Sequence, residues 1–244
     1  MQAKQSKRLK VHAILGTKGG VGKSTLAVHL SDWFKRNKIS YLAFDLDEEN
    51  STFNRFAPEA VCLNTRDREQ ADELIIKAEE VSEKGDAAAI IMDLRAGSGD
   101  EMLTWFSEVP FEYLSSKGID FVGWGCVTSD PDSQQTVARW MDRLGHALAA
   151  AVFVKNLKDG NFSFQKPLNC PKITHEITIP QIEARLMARI NEQALRLSDI
   201  LNIEETIKGL TDTMMKARIR RIQQEVFASF DSIASTLSDA KQTK

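Results

Sequence analysis

Thr17–Thr25 reads TKGGVGKST, with an apolar run before it (Val11–Leu15) and LAVHLSDWF (Leu26–Phe34) after it, whose apolar side chains recur at helical spacing. Strand, glycine-rich loop and helix in that order make a backbone cradle for a nucleotide triphosphate. Gly19, Gly20 and Gly22 let the chain turn so that several N–H groups converge on one point, where a side chain would crowd the phosphates. Val21 completes the turn, and the N-terminus of the next helix adds partial positive charge there. In such a loop Lys23 bridges the β- and γ-phosphates, the Ser24 hydroxyl ligates Mg²⁺, and Thr25 bonds the α-phosphate.

The loop departs from the commonest form, G-x-x-x-x-G-K-[ST], which would place Gly at 17. It carries instead a second lysine, Lys18, before the glycine pair. This K-G-G-x-G-K-[ST] version resembles the deviant Walker A motif of the ParA/MinD superfamily of P-loop ATPases. The resemblance implies ATP and Mg²⁺ as cofactors. It also implies an ATP-dependent homodimer, in which Lys18 reaches across to the phosphates held by the partner subunit.

Carboxylates complete the pattern. LAFDLD (Leu42–Asp47) ends in two acids two residues apart, which share a face of an extended segment. The superfamily places a D-x-D element after its second strand, so the resemblance gives Asp45 the metal side and Asp47 the attacking water. The family's usual Pro-Gln is replaced here by Glu48, Glu49 and Asn50. Asp93, ending AAAIIMD, resembles the Walker B carboxylate on Mg²⁺, and Ala96-Gly97 after it resembles a turn that senses the γ-phosphate. Asn156, after AAAVFVK, and Pro180, after EITI, stand where relatives contact the base, although each residue type is also an ordinary strand or helix terminus. No N-K-x-D motif is present, which disfavours a Ras-type GTPase. DLDEENSTF (Asp45–Phe53) further resembles the D-x-D-x-x-N-x-T-F segment of TraL-type conjugative-transfer ATPases.

The rest of the chain bounds these readings. The 244 residues suffice for one α/β domain with an extension, and a net charge of −2 gives no global pull on nucleic acid or anionic lipid. Mean hydropathy is −0.29, and no apolar run approaches the ~20 residues of a membrane span. Cys62, Cys126 and Cys170 are far apart without C-x-x-C, which argues for a reducing cytoplasm and against an iron–sulfur role.

Strands are expected near 10–15, 40–45, 87–93, 119–127, 150–155 and 174–179. Helices are expected over 23–36, 67–83, 100–116, 133–148 and 181–197. The alternation predicts a mostly parallel twisted sheet with helices on both faces. We divide the chain into a basic tail (1–9), a nucleotide-binding domain (10–197) and a helical extension (198–244), with the superfamily motifs spanning roughly 9–195.

In the extension, Ile219, Ile222, Val226, Phe230, Ile233 and Leu237 form a narrow apolar stripe, preceded by the basic cluster Lys216, Arg218, Arg220 and Arg221. The plain expectation is a helix packed back on the sheet. The functional alternatives are a DNA-contacting patch, a membrane-surface helix or a partner helix. A polar face rich in Ser, Asp and Gln makes the membrane the weakest of these. The sequence thus reads as a slow, partner-stimulated switch ATPase acting in plasmid or DNA partition or transfer. Its rivals are a MinD-like membrane-associated positioning ATPase, an ATP-dependent amidase or ligase on the same fold, and an inactive scaffold.

Overall fold

The computed structural model describes residues 7–16, 18–64, 66–95, 99–161 and 174–239. The Ala96-Gly97 turn, Thr17 and Cys170 lie outside the described residues. Among the described residues, seven parallel strands form one sheet: β1 (Leu9–Leu15), β2 (Tyr41–Asp45), β3 (Val61–Cys62), β4 (Ala89–Asp93), β5 (Ile119–Val127), β6 (Ala150–Asn156) and β7 (His175–Ile179). Their order is β3-β2-β4-β1-β5-β6-β7. After β1 the chain lays down β2 and the edge strand β3 on one side, returns to insert β4 between β2 and β1, and then crosses to the other side for β5–β7. The C-terminal end of β1 is therefore a topological switch point, where open α/β sheets bind ligands.

The described helices are α1 (Lys23–Arg36), α2 (Thr52–Phe56), α3 (Arg68–Lys84), α4 (Gly99–Glu108), α5 (Phe111–Ser116), α6 (Pro131–Leu144), α7 (Ala184–Gln193), α8 (Leu197–Asn202), α9 (Thr213–Asp231) and α10 (Ala234–Leu237). Six strands fall within two residues of expectation: β4 and β5 are buried throughout and read as continuous apolar runs, and even the edge strand β7, which buries only Ile177 and Ile179, keeps an apolar pattern. The edge strand β3 and the short α2 carry no such run. The single helix expected over 100–116 is two, since Pro110 has no N–H to continue α4 and instead caps α5. The helix expected over 181–197 ends at Gln193, where Ala194 turns left-handed at φ 49°. α6 stops at Leu144, before Gly145.

Side chains of β1 alternate between two apolar layers. Ile14 joins the layer of α1 and α7–α10, whereas Val11, Ala13 and Leu15 join that of α3–α6. The tail helices belong to the first layer. Ile219, Val226, Phe230, Ile233 and Leu237 are buried in it, with Ile222 packed against them. Two polar contacts pin the packing: Trp33 Nε1 donates to Asp231 at 2.7 Å, and the His12 ring meets the Leu237 carbonyl at 3.0 Å.

Candidate functional site

The loop after β1 rises over the sheet edge and ends on Gly22, the N-cap of α1. Gly20 (φ 70°) and Gly22 (φ 98°) occupy the left-handed region that side chains resist. Among the described residues no side chain caps α1, and no acid sits in its first turn, so its first N–H groups and positive dipole end face the loop as an anion site would require. Gly19 and Gly20 are exposed, while Ser24 and Thr25 are half-buried.

The loop is supported from beneath. The Val21 carbonyl accepts from Asn156 Nδ2 at 2.9 Å and from Cys126 Sγ at 3.1 Å. Asn156 Oδ1 accepts from the Lys158 amide. Asn156 is thus a strut of the loop, and the same amide that suggested a base contact is committed to the backbone. Pro180 is half-buried directly after β7.

The two lysines part company. Lys23 is buried at 6% exposure and donates to the Lys18 carbonyl at 2.9 Å. Burial pulls its pKa below the usual lysine value, and the nearby Asp93 charge opposes that. The Lys18 ammonium lies instead on α6, 3.1 Å from Asp130 Oδ2 and 3.3 Å from Asp132 Oδ2.

Register brings the carboxylates together, since β4 lies between β1 and β2 with Asp93 paired to Ile14 and to Asp45. Asp93 is buried, and neither of its oxygens has a hydrogen bond of normal geometry. Burial pushes its pKa up to about 7; the nearby Ser24 hydroxyl and Lys23 pull it down, and Asp45 pushes it further up. A buried carboxylate with no well-formed hydrogen bond among the described residues, beside the Ser24 hydroxyl and Lys23, fits a cation held jointly with phosphate oxygens. Mg²⁺ is characteristically bound that way, through few protein ligands. Among the described residues no group of three or more His, Cys, Asp or Glu is placed to hold a metal ion.

Asp45 is also buried, but its oxygens accept from the backbone amides of Asp47 (3.0 Å) and Asn54 (2.8 Å). Burial raises its pKa, and those amides oppose the rise. It therefore shapes the loop that carries Asp47. Asp47 is half-buried and accepts from the Asn50 side chain at 3.2 Å. Glu49, where the family has its Pro-Gln turn, forms ion pairs with Arg66 and Arg95, so it ties the loop after β2 to the segment after β4.

The tail cations do not form one compact patch. Lys216 is half-buried and donates to the Ile203 carbonyl, Arg218 pairs with Glu183 and Arg221 with Glu225. At ~100° per residue, Arg218 and Arg221 lie on a different side of α9 from Lys216 and Arg220. Sequence adjacency had suggested a cluster that the helix spreads apart.

The sequence profile of the CobQ/CobB/MinD/ParA nucleotide binding domain matches residues 12–240. The chain belongs to this family. The match runs well past residue 195, so it includes the tail helices that the motifs leave out. This CobQ/CobB/MinD/ParA-family chain is similar in fold to MinD in the MinC:MinD cell division complex of Aquifex aeolicus (TM-score 0.58, 15% identity, 96% of this chain and 98% of that one). It is likewise similar to a Cyanothece McdA variant in complex with ATP (0.53, 11%, 97% and 99%). A third is the septum site-determining protein MinD with Mg-ADP from Pyrococcus horikoshii OT3 (0.51, 16%, 95% and 100%). No curated protein matches the sequence. Nucleotide binding of ParA/MinD type follows from the family. Among the described residues no helix is long and apolar enough to cross a membrane.

Proposed function

We propose that this chain binds ATP with Mg²⁺ and hydrolyses it as a nucleotide-gated homodimer serving plasmid or DNA partition or transfer. The observation that carries the reading is the division of labour between two lysines on one loop. Lys23 sits under the loop beside Asp93, while Lys18 lies outside that group, partly exposed and paired with Asp130 and Asp132 at the start of α6.

Mg²⁺, when bound, neutralises phosphate charge and holds the terminal phosphoryl group for in-line displacement. Ser24 and Asp93 would hold the metal, with Asp45 fixing the loop at their side. Lys23 and the loop amides hold the β- and γ-phosphates, and Thr25 the α-phosphate. Asp47 orients the attacking water, exchanging its Asn50 contact for it. Asn156 and Pro180 border the base side. Lys18 of a second copy adds the last positive charge, so the complete site exists only in the dimer. Such a site turns over slowly until a protein partner stabilises its closed form. The solved MinD is found with MinC, and a stimulating partner is part of this proposal.

Arg218 and Arg221, exposed on one side of α9, favour non-specific DNA as a second ligand once phosphates replace Glu183 and Glu225, because two copies in a dimer would double those contacts and steepen the salt dependence. A membrane-surface role would require the apolar stripe of α9, which is already buried against the sheet. We place the protein in the cytoplasm.

Sedimentation with ATP and Mg²⁺ tests the reading. Asp47→Ala accumulates as a dimer, the parent returns to monomer as ADP forms, and Lys23→Ala binds no ATP. A parent that binds ATP yet stays monomeric overturns the dimer. Turnover by Asp47→Ala at the parental rate removes Asp47 from its role.

A further inference from the structure

Lys18 is the residue that the proposed dimer asks to leave its own subunit, and it is already engaged. Its ammonium bridges Asp130 Oδ2 at 3.1 Å and Asp132 Oδ2 at 3.3 Å, both at the start of α6. We propose that Asp130 and Asp132 form a latch that keeps Lys18 in cis, so that a second copy of the chain is admitted only when the latch opens; this rests on the dimer reading above.

The geometry suits a latch better than a permanent clamp. The three side chains are 38%, 41% and 71% exposed, so water can replace each partner as the other leaves. One ammonium cannot serve its own α6 acids and a phosphate across an interface at the same time. Every nucleotide-bound dimer therefore forms at the expense of two latches. The Asp130 carboxylate divides its duties: Oδ1 caps α6 by accepting from the Asp132 amide at 3.0 Å, and Oδ2 takes the lysine. The contact shifts both partners in the directions of a real pair. Asp130 first, then Asp132, raises the Lys18 pKa, and Lys18 lowers that of Asp130. Because the Lys18 carbonyl accepts from the Lys23 ammonium, the latched segment is also in direct contact with the phosphate-binding lysine.

The test is sedimentation equilibrium of the full chain with saturating non-hydrolysable ATP and Mg²⁺, comparing the parent with Asp130→Asn/Asp132→Asn. Asparagine caps helices as well as aspartate does, so α6 is preserved while the charge is removed. A lone Asp132→Asn change, at a 71% exposed side chain, guards against misfolding of the pair. Two exposed ion-pair sites per dimer predict a dimer dissociation constant about 3- to 30-fold lower in the double variant. Glu73→Gln/Glu112→Gln removes equal charge elsewhere and leaves the constant unchanged. An unchanged constant in the Asp130/Asp132 variant overturns the latch, and so does a raised one, which would mean that the acids deliver Lys18 to the interface. If the parent binds nucleotide but never dimerises, the dimer reading falls and takes the latch with it.

Discussion

Asn156 stands directly beneath Gly22: a Cβ on Gly22 would meet Asn156 Nδ2 at 2.2 Å. The end of β6 and the last glycine of the loop are thus in contact, and the contact explains why that position tolerates only hydrogen as a side chain. Gly22→Ala combines this overlap with a φ of 98°, a conformation costing a residue with a Cβ on the order of 1–3 kcal/mol. The loop has to open to relieve it. We expect a lower melting temperature and loss of binding to a fluorescent ATP analogue. Parental affinity in Gly22→Ala would mean that the close approach does not constrain the loop.

Asn156 also permits a choice between strut and base reader. As a strut it supports the Val21 carbonyl, so Asn156→Ala removes one buried hydrogen bond, worth about 1 kcal/mol, and loosens the cradle for any nucleotide. Affinities for ATP and GTP should fall together, roughly 5- to 10-fold on that scale. Competition binding with the two nucleotides checks this. A loss confined to ATP would restore the base contact that the sequence suggested.

What the sequence made legible was what local chemistry announces. The glycine spacing, Lys23, Ser24 and the strand-terminal acids Asp45 and Asp93 all sit on elements whose apolar runs define them, and parallel register then brings the acids together. Interactions closed by residues distant in the chain left no such mark. Asp130 and Asp132 belong to no motif, Cys126 spoke only to the redox compartment, and Asn156 was placed at the base by resemblance. Their roles arise only when β5 pairs with β1 and β6 with β5. The stripe on α9 was visible, but which side of the helix each arginine occupies depends on the 3.6-residue period and on neighbours such as Glu183 and Ile203.

Two buried histidines set a pH dependence. His12 lies between Trp124 and Leu237; the Trp124 indole can only donate, so His12 Nδ1 accepts and Nε2–H donates to the Leu237 carbonyl. Burial lowers its pKa to about 4 from the ordinary 6.5. His29, whose Nε2 has no hydrogen-bond partner among the described residues, is likewise lowered to about 4 by burial. Between those values the unfolded chain binds more protons than the folded one, so this stability is present in full above about pH 6.5 and is lost as pH falls toward 4. Each histidine contributes at most about 3 kcal/mol to that loss. His29→Leu should flatten the dependence and, by removing an unpaired buried nitrogen, raise stability at pH 7 by about 1 kcal/mol. Comparing urea midpoints of parent and variant at several pH values between the two pKa values cancels the other titrating groups, and identical slopes would count against the assignment.

Arg196 joins three parts of the fold at one guanidinium. At 3% side-chain exposure it bonds the Phe56 carbonyl at 2.7 Å, Asp32 of α1 at 3.2 Å and both Glu59 oxygens at 2.7 Å. Although burial alone would raise it, the Glu59 pKa falls to about 2, with Arg196 the strongest of the groups that lower it. Asp32 stays raised, because burial outweighs the Arg196 charge. Arg196→Met therefore strands a buried acid, which typically costs about 3–5 kcal/mol. The same change frees the end of α2, and with it the segment leading back through Asn54 to Asp45 and Asp47. Stability should fall by roughly 3 kcal/mol, and Asp32→Asn introduced alongside should recover part of it, because neighbours in one network are not additive. Denaturation of the two single variants and the double variant closes the cycle. Strict additivity would show that Arg196 and Asp32 are not coupled.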